Sequence, residues 1–120
     1  MSKKTLVMGA SIYSWRYAHM AINQLVESGH EVVALGKHSG VVNGVQIETT
    51  QKKFINIDTV TLYLDKANQQ TYYQYIVDLK PKRVIFNPGA ENKEFETFLD
   101  RHQIYHSKAC TLVLLSINEY

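Results

Sequence analysis

The chain has 120 residues and a net charge of +2, and 45% of its residues are hydrophobic. This length is enough for a buried core, and the composition is ordinary for a soluble globular protein. The weak positive charge, with no basic block, argues against nucleic-acid binding. No apolar stretch approaches the roughly 20 residues of a membrane helix, and no signal-peptide pattern precedes the first strand, so we expect a cytoplasmic protein without a membrane partner.

The first third of the chain alternates between strand and helix patterns. Residues 5–10 form an apolar run that predicts a buried strand, and Ser11 to Tyr17 forms a loop. Apolar residues at spacings of three and four predict a helix from about Ala18 to Ser28, and Gly29 ends it as a C-cap. Residues 31–35 are largely apolar and predict a second strand, buried on both faces as parallel strands are.

The rest of the chain continues this alternation. Asn43-Gly44 is a strong hairpin signal and predicts a small hairpin over residues 41–47. The tail from Thr111 to Ile117 is apolar and packs against the protein, either as a helical turn or as a strand. The other predicted elements, in chain order, are a strand at 59–64, a helix from Asn68 or Gln69 to Leu79, a strand at 83–86, a helix at about 92–102 and a strand at 104–106.

This order of elements predicts an α/β protein with a three-layer, open parallel sheet of about five strands and helices on both faces. We expect residues 1–120 to form one domain with strand order 3-2-1-4-5. The crevice would then lie at the carboxyl ends of strands 1 and 4. Two loops, Gly9-Ala10-Ser11 and Asn87-Pro88-Gly89, would face each other across it.

The turn Gly9-Ala10-Ser11 is the first candidate binding site. It joins a strand to a helix, which is where phosphate-bearing ligands sit in open α/β sheets. A glycine lets a phosphate approach the backbone, and the free N–H groups at the start of a helix attract it. Such a turn also occurs as a plain connection between a strand and a helix, so both interpretations stay open here.

The end of the second strand bears on the identity of the ligand. A dinucleotide site usually has three glycines in its first turn and an Asp or Glu after strand 2. Here only Gly9 is present, and strand 2 ends in Gly36-Lys37. A cation at this place favours a ligand with an extra ribose phosphate, such as NADP or coenzyme A (CoA), over NAD. Lys37 and Arg16 are the candidate partners of that phosphate, and the alternative is that both are plain surface cations.

Taken together, these motifs resemble the single-domain CoA-binding proteins, which are similar in fold to the CoA-binding domain of the succinyl-CoA ligase alpha subunit. The resemblance covers nearly the whole chain. It rests on the segments Leu6–Ser11, Arg16-Tyr17, Gly29–Val33, Asn43-Gly44 and Asn87–Asn92, together with Cys110. One departure falls in the first loop, where Ser11-Ile12-Tyr13-Ser14 replaces the Ser-Pro-Asn-Pro common in the family.

The resemblance implies a Rossmann-like domain that binds CoA, or an acyl-CoA, without catalysing a reaction. In the family, the first glycine turn holds the diphosphate of CoA, and cations of the next loop and of strand 2 hold its adenosine-phosphate end. The loop after strand 4 closes the crevice. By resemblance, these roles fall to Gly9, Ala10, Ser11, Arg16, Lys37, Asn87, Pro88, Gly89, Glu91 and Asn92.

Cys110 is the single cysteine, which excludes an internal disulfide and a cysteine-rich zinc site. Near the crevice it would meet the thiol end of CoA, and nearby Lys108 would raise its reactivity toward a mixed disulfide. The alternative is that Cys110 is a small buried residue. Among the five histidines only His102 and His106 have a ligand-like spacing, and they straddle a helix end, so we expect no metal.

Two alternatives to a CoA-binding module remain open. One is a small enzyme that uses NADP or an acyl-CoA, although no nucleophile–base pair is recognisable and no catalytic residue is predicted. The other is a protein-interaction domain with a vestigial crevice, suggested by the altered loop from Ile12 to Trp15, whose aromatic residues would then contact a protein. A tyrosine cluster at residues 72–75 indicates either core packing or the surface of a homodimer.

Overall fold

The computed structural model describes residues 2–120, in which seven strands form one sheet. The strands are β1 (Thr5–Ala10), β2 (Val32–Gly36), β3 (Gly40–Val42), β4 (Val45–Glu48), β5 (Thr59–Leu62), β6 (Arg83–Phe86) and β7 (Tyr105–Lys108). The helices are α1 (Tyr17–Glu27), α2 (Lys66–Gln69), α3 (Tyr73–Leu79), α4 (Lys93–Arg101) and α5 (Thr111–Ser116).

The strand order across the sheet is β3-β4-β2-β1-β5-β6-β7. All neighbouring strands run parallel except β3 and β4, which form an antiparallel hairpin. The hairpin turns at Asn43 and Gly44, which both have positive φ. These features confirm the predicted α/β class with a mostly parallel sheet, although the sheet has seven strands where about five were expected.

The predicted strand order needs one correction. The strand at Thr59–Leu62 was expected beyond β2, but it pairs directly with β1. The outer place is taken by β4, which pairs in parallel with β2 through Ala34 and Ile47. With β4 as the third strand, β5 as the fourth and β6 as the fifth, the parallel strands follow the order 3-2-1-4-5. β7 then extends the sheet beyond β6. Consequently β5 separates β1 from β6, and the predicted crevice between those two strands does not form.

Helices cover both faces of the sheet. On one face, α1 packs through Ile22 and Leu25 against β1, β2 and the hairpin, and Leu115 of α5 joins this cluster. On the other face, Ile76 of α3 and Phe95 of α4 pack against β1, β2, β5 and β6. Apolar side chains on successive strand residues alternate between the two faces, which is why the strands are apolar throughout.

Two helical regions differ from the sequence-based expectation. The single helix predicted up to Leu79 consists of α2, one turn of 3-10 helix at Gln70–Tyr72, and α3. The apolar tail, for which two structures were open, forms the helix α5. Within the tyrosine cluster, Tyr73 is buried, while Tyr72 and Tyr75 are half-buried against the core, so this cluster contributes to core packing.

Candidate functional site

A cleft of about 810 Å³ lies at the carboxyl ends of β1, β2 and β5. Its volume is within the range of small-molecule sites. The chain runs from β1 to β2 on one side of β1, and β5 later pairs with β1 on the other side. The cleft lies at this switch point, which is the usual place for ligands in open α/β sheets. Residues lining the cleft include Gly9, Ala10, Ser11, Tyr13, Arg16, Gly36, Lys37, His38, Thr49, Tyr63, Leu64, Asp65, Asn68 and Tyr72.

Two glycines let the strands meet closely at the floor of the cleft. Gly9 has φ +85°, and a Cβ there would lie 3.0 Å from the backbone carbon and oxygen of Tyr63 at the end of β5. A Cβ on Gly36 would lie 2.3 Å from the backbone oxygen of Ala10. Glycine is therefore required at both positions by the strand packing itself. The same packing leaves the backbone of the first turn accessible from the cleft.

The loop after β1 is ordered by its own backbone. The Ser11 hydroxyl accepts the N–H of Tyr13 at 3.1 Å, and the Tyr13 carbonyl accepts the N–H of Arg16 at 3.1 Å. Helix α1 then begins at Tyr17, without an acidic residue in its first turn. The partial positive charge at the start of α1 is thus not neutralised by its own side chains, and it favours an anion at this end of the cleft.

The charges that line the cleft are mainly positive. Arg16, Lys37 and His38 are exposed along it, and within residues 2–120 neither Arg16 nor Lys37 has an acidic partner within 4 Å. Asp65 is the acidic residue on this surface, and its carboxylate accepts bonds from the backbone and side-chain N–H groups of Asn68. Two cations are therefore free to contact an anionic ligand.

Five of the predicted ligand-binding residues come together in this cleft: Gly9, Ala10, Ser11, Arg16 and Lys37. The residues of the other predicted loop do not line it, because β5 lies between β1 and β6. Sequence reasoning missed the loop from Tyr63 to Asp65, which takes the place expected for Asn87-Pro88-Gly89. The sequence does carry a signal for this loop, because the predicted strand at 59–64 is followed directly by the polar residue Asp65.

The side chains of Asn87 and Asn92 are buried in hydrogen-bond networks inside the protein. Asn87 donates to the hydroxyl of Thr61 at 2.6 Å and to the carbonyl of Leu62 at 2.9 Å. Asn92 caps α4 by accepting the N–H of Phe95 at 3.2 Å. It also donates to the side-chain oxygen of Gln69 and to the Tyr73 hydroxyl.

The remaining residues of that loop are on the surface. Pro88, Gly89 and Glu91 are exposed, and the Glu91 carboxylate accepts the N–H of Gly89 at 2.9 Å. Glu91 thus stabilises its own turn. The binding role of these residues stays a prediction.

Cys110 lies at the start of α5 and is partly buried, outside the lining of the cleft. It is near the hydroxyl of Tyr63, whose ring packs into the core cluster on the α1 side of the sheet. The Tyr63 hydroxyl is buried without a hydrogen-bond partner in residues 2–120. Burial raises the pKa of Tyr63, and the neighbouring Cys110 raises it further, so the phenol stays protonated.

Within residues 2–120, no group of three or more His, Cys, Asp or Glu side chains is placed to hold a metal ion. His19, on α1, bonds through its ring to the carbonyl of Ser11 at 3.1 Å and so supports the first loop. No helix in the same residues combines the length and apolar character needed to cross a membrane.

The mostly parallel sheet with helices on both faces defines a Rossmann-like domain, and the cationic cleft lies at its switch point. The chain belongs to the CoA-binding domain family, whose model, described as "CoA binding domain", matches residues 3–116. This match confirms the resemblance identified from the sequence motifs. Comparison with curated proteins found no relative.

Solved structures share the fold over nearly the whole chain. The crystal structure of an uncharacterised protein is 44% identical, with a TM-score of 0.97, and the match covers 100% of this chain and 99% of that one. A Thermus thermophilus protein is 18% identical, with a TM-score of 0.85 and coverage of 99% and 91%. A conserved hypothetical protein from Pyrococcus furiosus is 22% identical, with a TM-score of 0.80 and coverage of 94% and 98%.

Proposed function

We propose that this chain binds CoA, or an acyl-CoA, in the cleft between β1, β2 and β5, and that it does so without catalysing a reaction. The family supports CoA as the ligand. The observation that carries the assignment of the site is the combination of the Gly9 turn with two unpaired cations, Arg16 and Lys37, along one cleft.

The orientation of the ligand follows from the charges. The diphosphate lies at the turn Gly9-Ala10-Ser11, where backbone N–H groups and the start of α1 attract negative charge. The ribose phosphate of CoA lies near Lys37, at the end of β2. A site for NAD would place a carboxylate there to hold the ribose hydroxyls, and a lysine instead attracts a phosphate.

The residues along the cleft support the proposal of binding without catalysis. His38 has no acidic partner within residues 2–120, and the Asp65 carboxylate is engaged as the cap of α2. A general base needs a positioned partner and a nucleophile within hydrogen-bond reach, and the cleft residues form no such pair. These features support the proposal that the chain acts as a carrier or sensor for CoA.

The experiment is a calorimetric titration with CoA, dephospho-CoA, NADP and NAD, with thermal unfolding in parallel. We expect CoA to bind and to stabilise the folded state, by about 2.7 kcal/mol at a hundred times its Kd. Lys37→Ala should weaken CoA binding about tenfold, which corresponds to one charge-assisted contact. The same variant should leave dephospho-CoA binding unchanged, because that ligand lacks the ribose phosphate.

The matched control is Lys53→Ala, which removes an exposed lysine outside the cleft. Equal loss of affinity in both lysine variants, or equal affinity of wild type for CoA and dephospho-CoA, would contradict the placement of the ribose phosphate. Tighter binding of NADP than of CoA, with turnover of NADPH, would favour the small enzyme. Failure of all four ligands would favour the protein-interaction domain.

A further inference from the structure

Two aromatic side chains in the first loop stack on each other in solvent. The ring centroids of Tyr13 and Trp15 are 4.7 Å apart, and their planes differ by 24°. The exposed fractions of these residues are 45% and 68%. Each ring covers one face of the other, so the outer faces stay accessible. Exposed apolar side chains that are grouped together commonly mark a surface that binds a ligand or a partner protein.

The loop holds this pair in place without a partner. Its backbone is fixed by the bonds of Ser11 with Tyr13 and of Tyr13 with Arg16. Its base is anchored on the hairpin, where a Cβ on Gly40 would lie 2.3 Å from a methyl carbon of Ile12. A surface that is ordered before binding loses little conformational entropy when a ligand contacts it, and this raises affinity.

The pair lies at the edge of the cleft, next to a cation that is free for a phosphate. Tyr13 and Arg16 both line the cleft, and Trp15 directly precedes Arg16 in the chain. A nucleotide whose phosphates lie at Gly9 and at the cationic residues carries its base within a few ångströms of them. A purine has the flat π-surface that stacks on aromatic side chains.

We infer that the Tyr13–Trp15 pair is the stacking platform for the adenine base of the ligand bound in the cleft. This inference rests on the proposed function and adds to it the residues that recognise the base. In this arrangement the adenine covers an outer ring face, while Arg16 contacts the adjoining phosphate. The pantetheine arm makes no contact with the aromatic pair. The two halves of CoA can therefore be tested as separate ligands.

Trp15 is the only tryptophan in the chain, so emission excited at the red edge of tryptophan absorption, where the eight tyrosines absorb little, reports on the surroundings of this side chain. The titrants are CoA, adenosine 3′,5′-bisphosphate and 4′-phosphopantetheine. We expect the first two to quench the emission of Trp15, and phosphopantetheine to leave it unchanged. Removing one stacked aromatic residue should weaken binding about tenfold. Trp15→Ala should therefore weaken CoA binding by that factor in calorimetry, whereas Trp15→Phe keeps most of the affinity.

The matched control is Tyr17→Ala, because Tyr17 is 69% exposed and follows the same loop, but does not belong to the stacked Tyr13–Trp15 pair. Its affinity for CoA should equal that of wild type. Trp15 is 68% exposed and its aromatic contact is the stack on Tyr13, so Trp15→Ala should stay folded with only a small decrease in unfolding temperature.

The outcomes separate this inference from the proposed function. If wild type binds CoA in calorimetry but the Trp15 emission does not change and Trp15→Ala binds with full affinity, the platform is wrong while the proposed function stands. If phosphopantetheine quenches as strongly as CoA, the base assignment is wrong. If wild type binds none of the three compounds, the proposed function and the platform are both wrong. The exposed aromatic pair would then favour the protein-interaction domain.

Discussion

The side-chain oxygen of Asn87 accepts the backbone N–H of Thr111 at 2.9 Å, which joins the end of β6 to the start of α5. The hydroxyls of Thr61 and Thr111 are also bonded to each other, at 2.8 Å. Asn87 donates to Thr61 as well, so one buried carboxamide connects two strands with the last helix. This relationship gives Asn87 a structural role that its place after a strand does not reveal.

Asn87→Ala should therefore act mainly on stability. The substitution leaves the Thr111 N–H and the Leu62 carbonyl without their side-chain partner in the interior. Each buried group left unsatisfied costs about 1–3 kcal/mol, so we expect the free energy of unfolding to fall by about 3 kcal/mol. Urea unfolding measures this. The control Gln74→Ala removes an exposed amide that bonds only to Asp78 and should cost under about 0.5 kcal/mol. A stable Asn87→Ala protein that has lost CoA binding would contradict the structural role.

Gly9 and Gly29 form a matched pair for testing the floor of the cleft. Both have positive φ, +85° and +88°, so an alanine is strained at either position by about 1–2 kcal/mol. Only at Gly9 would the new Cβ meet the backbone of Tyr63, whereas nothing lies within 4 Å at Gly29. Gly9→Ala should consequently cost about 1–3 kcal/mol more than Gly29→Ala in urea unfolding, since backbone must shift. Equal losses at the two positions would show that β1 and β5 have room to relax there.

The helices and strands were predictable because their signals are local. Strand runs such as residues 59–62 and the helical spacing of Ile22 and Leu25 depend on neighbours a few residues away. The order of the strands depends instead on long-range pairing. The hairpin signal at Asn43-Gly44 predicted β3 and β4, but it did not reveal that β4 also pairs with β2 and occupies the third place in the sheet.

The same distinction holds for the candidate site. Gly9 lies near the end of β1, Arg16 follows that strand and Lys37 follows β2. Their convergence needs only the β1–β2 pairing, which was predicted correctly. The contribution of the Tyr63–Asp65 loop needed the position of β5, so it was missed. Asn92 follows a loop and precedes a helix, and the structure gives it the bond of an N-cap. A polar residue in a loop before a helix can thus contact a ligand or cap the helix, and the burial of the Asn92 side chain indicates the cap.

Cys110 should not be needed for CoA binding. Its side chain lies outside the cleft lining, at the start of α5. We expect Cys110→Ser to bind CoA with wild-type affinity, within about twofold, in calorimetry under reducing conditions. Lys37→Ala serves as the comparison that does lose affinity. A Cys110→Ser protein that binds CoA at least tenfold more weakly would place the thiol end of the ligand against this residue and revive the mixed disulfide.

His30 should make the stability of the protein depend on pH. Its Nδ1 atom accepts the backbone N–H of Lys3 at 2.9 Å, which requires a neutral ring. Burial lowers the pKa of His30 below its usual value of 6.5, and the positive charges of Lys3 and Arg83 lower it further. In the unfolded chain the ring takes up a proton near pH 6.5, before the folded protein does. The stability that His30 contributes is therefore complete above that pH and is lost as the pH falls through its folded pKa.

The measurement is urea unfolding at a series of pH values that starts above the usual histidine pKa of 6.5 and continues well below it. We expect the free energy of unfolding to fall less steeply in His30→Asn than in wild type, because the asparagine oxygen accepts the Lys3 N–H at every pH. The control is His38→Asn, an exposed histidine without a hydrogen bond in residues 2–120, which should keep the wild-type slope. If His30→Asn and His38→Asn have the same slope as wild type, the pH dependence arises from other groups, and the neutral ring at Lys3 does not control it.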